Sequence, residues 1–333
     1  MSAVNQQFRL TSRPQGGPLA REHFDFVEEP APEPGEGEAL VEVGYISLDP
    51  AMRGWVNDGR SYVPPVGLGE VMRAGAVGRV VASNTDALAE GDHVVGMLGV
   101  QRYAVTDGSG VTKVDPDLVP LPTYLGAVGM PGMTAYFGLL EVGKPVEGDT
   151  VVVSGAAGAV GGLVGQIAKI KGARVFGIAG GEEKCRHVVE DLGFDACIDY
   201  KGGDVAAGLK EHCPKGIDVY FDNVGGEILE ACLARLALHA RVVICGAISQ
   251  YNEAAPPKLA NYMALLVTRS SMTGIIVFDW ADRYGEGAAQ MAQWLAEGRI
   301  TAREDVVEGF ETFPETLQML FTGQNNGKLV LKV

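Results

Sequence analysis

The stretch VVVSGAAGAVGGLVGQIAKIKGARVFGIAGG, residues 151–181, has the spacing best suited to chemistry. It reads as a strand, a tight glycine turn, a helix and a second strand. In that order a pyrophosphate can sit against the backbone amides that open the helix. Gly158 and Gly161 hold the second and third places of a G-x-G-x-x-G turn, and Ala156 stands at the first. These glycines allow close approach of backbone to phosphate and close packing of helix on strand. A tight turn with no ligand is the plainer reading. The second strand ends at Ala179, Gly180 and Gly181, without the carboxylate that holds both ribose hydroxyls of NAD. Glu182 and Glu183 come later and start the next helix. Lys184 follows, either as a solvated surface lysine or as a partner for a 2′-phosphate. The turn is therefore expected to bind NADP(H) in preference to NAD(H).

Other chemistries lack their residues. A catalytic zinc needs three His, Cys or carboxylate ligands. The N-terminal part offers only His23 and His93, and no cysteine precedes Cys185, so no metal is expected. No G-x-S-x-G elbow points to a hydrolase. The five cysteines, Cys185, Cys197, Cys213, Cys232 and Cys245, are odd in number and show no C-x-x-C spacing. Each reads as a structural thiol rather than part of a disulfide framework.

These groups must be positioned by two kinds of architecture. The first part of the chain is rich in glycine, proline and short β-prone runs, such as EALVEVGYISLDP, with alternation from Ala39 to Ser47. Near Gly129 the character changes to alternating strands and helices, which implies a parallel sheet covered by helices. After Glu304 a strand–helix–strand pattern returns, expected to fold back onto the first part. The expected domains are residues 1–127 with 305–333, and 128–304. The net charge of 27 − 42 = −15 disfavours a phosphate-backbone partner, so no nucleic acid is expected. No apolar run approaches membrane-spanning length, and MSAVNQQFRL has no signal-like apolar core, so a cytoplasmic protein is expected.

The strings SLDPAMRGW, GEVMRAGAVGRVV, GMPGMTAYFGLLEVGKP, SGAAGAVGGLVGQIAKIKG, FDNVGG, CGAISQYN and GKLVLKV run through nearly the whole chain. Together they resemble the zinc-independent medium-chain dehydrogenase/reductase superfamily, and within it the prostaglandin reductase (leukotriene hydroxydehydrogenase) family of alkenal/one oxidoreductases. The resemblance implies an α/β fold: a Rossmann doubly wound parallel sheet plus a GroES-like β-barrel domain, with cofactor in the cleft. It also implies NADPH-dependent reduction of the carbon–carbon double bond of α,β-unsaturated ketones or aldehydes. Carried over, Gly158, Ala159, Val160 and Gly161 line the pyrophosphate, Lys184 and Tyr200 meet the 2′-phosphate, and Asn223 lies along the cofactor. Cys245, Gly246, Ala247, Ile248, Ser249, Gln250 and Tyr251 form the loop over ribose and nicotinamide. Ile276, Val277 and Phe278 reach the carboxamide, and Asn325, with Asn326 as the competing choice, closes the site. Ala51 stands where the family often has tyrosine.

Within that implied reaction, hydride reaches the β-carbon and negative charge develops on the carbonyl oxygen. A donor there lowers the barrier. Tyr251, after a strand and at the carboxyl edge of the sheet, is the candidate, acting with the ribose 2′-hydroxyl. Tyr45 and Tyr62 either line the substrate side or pack in the core. Two other readings fit: an NADPH quinone reductase and a non-catalytic dinucleotide-binding protein. SSMTGIIVFDW, read as an apolar edge strand, predicts a homodimer.

Overall fold

A computed structural model of the chain describes residues 3–255 and 258–333. The chain divides into two compact units. One runs to Leu125 and resumes at Glu304; the other is Gly126–Arg303.

The first unit is antiparallel-rich. Strands β1 (Val4–Leu10) and β2 (Phe24–Pro30) pair as a ribbon. Next come β3 (Ala39–Ser47), β4 (Ala76–Ser83), β5 (His93–Gly96), β6 (Tyr103–Thr106) and β7 (Val111–Val114), with the short helix α1 (Ala51–Trp55) after β3. The C-terminal segment supplies β14 (Glu304–Glu308), α9 (Phe313–Thr322) and β15 (Lys328–Lys332). Among the described residues the main sheet has the order β14-β15-β3-β4-β5-β7, with β6 also paired to β3. The apolar faces explain the return of the C-terminus. Phe8 of β1 lies with ring centroids 5.2 Å from Phe313 and 5.5 Å from Phe310. All three rings are buried, and aromatic contacts of this kind add to the area that they remove from water.

The second unit alternates strand and helix. Its strands are β8 (Thr150–Ser154), β9 (Arg174–Ala179), β10 (Ala196–Asp199), β11 (Ile217–Asp222), β12 (Leu236–Ile244) and β13 (Ser271–Gly274). Its helices are α2 (Met130–Phe137), α3 (Ala159–Ile170), α4 (Glu182–Glu190), α5 (Val205–His212), α6 (Gly226–Leu233), α7 (Met263–Thr268) and α8 (Tyr284–Ala296). The sheet order is β10-β9-β8-β11-β12-β13, and every pairing in it is parallel. Every residue of TVVVS in β8 is buried, as a central strand covered on both faces requires. The order steps outward from β8 to β10 on one side and from β11 to β13 on the other. The crevice at that reversal, at the carboxyl ends of β8 and β11, is where doubly wound sheets bind ligands. The strand expected through SSMTGIIVFDW is shorter than its apolar run. It ends at Gly274, and Val277–Arg283 turn as a 3-10 helix, so Ile276, Val277 and Phe278 lie beyond the strand.

Candidate functional site

The glycine turn is built differently from the pattern read in sequence. Ala156 at the first glycine place is no loss, because the left-handed residue of the turn is Gly155, at φ +62°. Gly158 is the N-cap of α3 and provides no side-chain cap, so the first-turn amides of Ala159, Val160 and Gly161 face outward without one. Gly161 is where helix and turn meet. A Cβ there would lie 2.3 Å from Gly155 O. These features fit an anionic group against the helix N-terminus, where amides and dipole both favour negative charge.

The carboxyl ends of β8 and β11 are stapled together. Ser154 Oγ donates to Asp222 Oδ1 (2.9 Å), and Asn223 Nδ2 donates to Ser154 O (2.7 Å). The buried Asp222 carboxylate also accepts from Tyr220 Oη (2.7 Å), Val224 N (3.1 Å) and Gly225 N (3.0 Å). Ser154, Tyr220 and Asp222 were not singled out in the sequence, although FDNVGG was. Their signal was an acid at the last place of an apolar strand, a costly position unless the carboxylate is fully bonded.

From this staple hangs the loop Cys245–Tyr251. Cys245 N and Gly246 N donate to Asp222 O at 2.9 and 3.1 Å. Ile248 N donates to Asn223 O, and Ser249 Oγ to Val224 O (2.7 Å). Ala247 N donates to Tyr251 Oη at 3.1 Å, which turns the ring back over its own loop. A phenol that accepts a hydrogen bond is polarised as a donor. Tyr251 is half-buried. Burial, with the nearby Asp222 charge, pushes the Cys245 thiol up to about 12, so its sulfur stays protonated and is no nucleophile.

At the outer side of the sheet, Glu182 and Glu183 point to solvent in the first turn of α4, and Lys184, the third residue, is half-buried. Gly180 is small because Tyr200 lies against it. A Cβ at Gly180 would meet the Tyr200 ring at 2.8 Å. The structure thus brings Lys184 and Tyr200 to the same strand ends. It adds a carboxylate that the tip of β9 itself lacks: Asp199, at the end of β10, accepts from Gly181 N (2.7 Å) and Lys201 N (2.9 Å). Those amide bonds hold its carboxyl below the usual carboxylate range. Beyond β13, Val277 is buried, Ile276 half-buried and Phe278 exposed.

The remaining predicted residues belong to the first unit. Tyr45 on β3 packs beside the buried Val77, Leu125 and Val330. Tyr62 is half exposed and accepts from Trp55 Nε1 (3.1 Å). Asn325 is buried and donates from Nδ2 to Gly327 O (3.1 Å), whereas Asn326 has a buried Oδ1 with no bonded partner. Among the described residues no group of three His, Cys, Asp or Glu is placed to hold a metal, and no helix is long and apolar enough to cross a membrane.

Comparison with known proteins places these units. A family model described as the N-terminal domain of oxidoreductase matches residues 6–114, and one described as zinc-binding dehydrogenase matches 159–296. The chain is 45% identical to the NADPH-dependent curcumin reductase of Escherichia coli (strain K12), over 99% of this chain and 97% of that one. It is 39% identical to prostaglandin reductase 1 of Mus musculus, over 93% of this chain and 94% of that one. The crystal structure of CurA in complex with NADPH from Vibrio vulnificus superposes with a TM-score of 0.93 at 46% identity, covering 98% of this chain and 99% of that one.

Proposed function

The chain belongs to the zinc-independent medium-chain dehydrogenase/reductases, in the family of prostaglandin and alkenal/one reductases, and on that premise we propose that it reduces the carbon–carbon double bond of α,β-unsaturated ketones and aldehydes. It is an NADP-dependent oxidoreductase. The observation that carries the reading is the Cys245–Tyr251 loop, laced to Asp222–Val224 at the reversal point of the sheet, with a tyrosine hydroxyl held at its end.

When bound, NADPH supplies the hydride for the β-carbon. The residues of the chain do the rest. The amides that open α3 hold the pyrophosphate, with Gly158 and Gly161 letting the backbone come close. Lys184 and Tyr200 hold the 2′-phosphate, by charge and by a hydroxyl donor. Asn223, its amide fixed on Ser154 O, borders the cofactor. Tyr251 donates to the carbonyl oxygen, where negative charge develops as the enolate forms, and this preorganised donor is the electrostatic part of catalysis. Solvent supplies the proton for the α-carbon. In this reading Ile276, Val277 and Phe278 border the cofactor. A homodimer formed along β13 belongs to the same proposal: β13 is the last strand of the sheet, and all four of its residues are exposed.

The test is turnover of NADPH and of NADH with nonenal, benzylideneacetone and 1,4-naphthoquinone, with product masses. The expected products are the saturated aldehyde and ketone, with the carbonyl retained and NADPH preferred. Turnover of the quinone alone, or equal kcat/KM for the two cofactors, overturns the assignment.

A further inference from the structure

Cys185 and Cys197 are twelve positions apart and carry no sequence signature, yet they meet. Cys185 is the fourth residue of α4, and Cys197 is the second of β10, the edge strand beneath that helix. Cys197 Sγ lies 2.8 Å from Cys185 Sγ, as free thiols. The separation is longer than an S–S bond, of about 2.05 Å, so about 0.8 Å of closure would join the two sulfurs. Both thiols are half-buried, whereas Cys213 and Cys232 are fully buried. A structural zinc would need four ligands, and among the described residues no third His, Cys, Asp or Glu completes a set. We propose that Cys185 and Cys197 are an oxidisable thiol pair, which a peroxide converts to an intrachain disulfide tying α4 to β10.

The chemistry balances with the peroxide as oxidant. The Cys185 thiolate attacks a peroxide oxygen, and the O–O bond breaks. Sulfur loses two electrons to become a sulfenic acid, and the departing oxygen takes a proton and leaves as water. The Cys197 sulfur then attacks the sulfenic sulfur. The S–O bond breaks, and the Cys197 proton goes to the leaving hydroxide to form a second water. Cys185 is the first to react for a structural reason. Burial leaves its thiol above the ordinary range, but the S–H of Cys197 donates to its sulfur and opposes that rise. Burial and the adjacent Cys185 push Cys197 higher still.

The experiment exposes the full-length protein to hydrogen peroxide, removes the excess with catalase, and alkylates in denaturant. Digestion at glutamates then releases residues 184–190 and 191–211, which contain Cys185 and Cys197 as their only cysteines. The expected result is a fall from five alkylated thiols to three, with these two peptides recovered as one species that reductant separates. Cys185→Ser should keep four alkylated thiols under the same treatment, whereas Cys197→Ser should keep three, with Cys185 recovered as an oxidised sulfur acid and no linked peptide. Five alkylated thiols in the oxidised wild type, a linkage through any other cysteine, or a sulfinic acid at Cys185 beside an alkylated Cys197 would overturn the proposal. The wild-type peptide map decides the matter even where a serine variant folds poorly.

Discussion

Replacing Gly161 by alanine tests whether the junction of turn and helix places the pyrophosphate site. The new Cβ would lie 2.3 Å from Gly155 O, 2.9 Å from Gly155 C and 3.1 Å from Ala156 Cα. All three are backbone atoms, so no side chain can swing away. Restoring an ordinary contact of about 3.5 Å requires α3 to retreat by about 1 Å. Overpacking of this kind costs about 1–3 kcal/mol, or a fall of about 2–12 °C in melting temperature at 2–4 °C per kcal/mol. The retreat also carries the amides of Ala159, Val160 and Gly161 away from the phosphates, and a misplacement of about 1 Å can cost on the order of 100-fold. Gly162 is the control. A Cβ there meets the flexible end of Leu192 at 3.1 Å and Ala156 O at 3.4 Å. Gly162→Ala should therefore be near neutral, or stabilising by up to about 1 kcal/mol, because alanine loses less backbone entropy in a helix. The assays are NADPH fluorescence titration and thermal melting of both variants. Gly161→Ala should weaken NADPH at least tenfold and melt lower, while Gly162→Ala should match wild type in affinity. Equal NADPH affinity in all three proteins would show that the junction does not position the site. A destabilised Gly161→Ala that binds NADPH normally would separate packing from binding and refute the reasoning as well.

Tyr251→Phe should lower kcat for an enone by about 10- to 1,000-fold, as loss of an oxyanion-type donor does, with a smaller change in NADPH affinity. Unchanged single-turnover reduction would remove the hydroxyl from the chemistry. Lys184→Ala should raise the KM for NADPH by about 5- to 150-fold, the equivalent of 1–3 kcal/mol for a charge-assisted bond, and leave that for NADH nearly unchanged; kcat/KM for the two cofactors checks this. In the first unit, Lys328 is 4% exposed and its ammonium lies 3.1 Å from Asp49 Oδ1. Burial lowers the Lys328 pKa, and Asp49 opposes that shift. Asp49→Ala should therefore cost about 3–5 kcal/mol by leaving the lysine unpaired, and Asp49→Leu with Lys328→Met should recover most of it; urea unfolding of the single and double variants reads the difference. Light scattering at micromolar concentration should give twice the monomer mass, and a monomer would refute pairing along β13.

The elements visible in the sequence were those whose physics is local. The alternation of Ala39–Ser47 gives β3, and the wholly apolar VVV of β8 announces a strand buried on both faces. Strand β1 was less legible because VNQQFRL is polar. Its buried Asn5 and Gln7 are paid for by distant partners, Asn5 by Tyr103 O and Gln7 by Gln101 and Glu29. Local pattern cannot show such long-range bonding. The site divides in the same way. Gly158, Gly161, Lys184 and Tyr251 could be proposed from residue type, spacing and resemblance, whereas the thiol contact of Cys185 with Cys197 exists only once α4 lies on β10.

The same limit governs the electrostatics at the end of β9. From the chain alone, Ala179–Gly180–Gly181 leaves that tip without a carboxylate. Folding brings Asp199 there from the neighbouring strand, because β10 pairs in parallel with β9 and places Asp199 opposite Ala179. The sign of the local field then depends on how that charge is used. Asp199 Oδ1 is already bonded to the amides of Gly181 and Lys201, a turn-closing role that holds the ends of β9 and β10 in register. Lys184 enters from α4, and the Tyr200 ring occupies the space that a side chain at Gly180 would need. On the proposed assignment, cofactor preference at this edge would be a property of two adjacent strand ends and one helix turn together. A single-strand rule captures it only where the neighbouring strand brings no charge of its own.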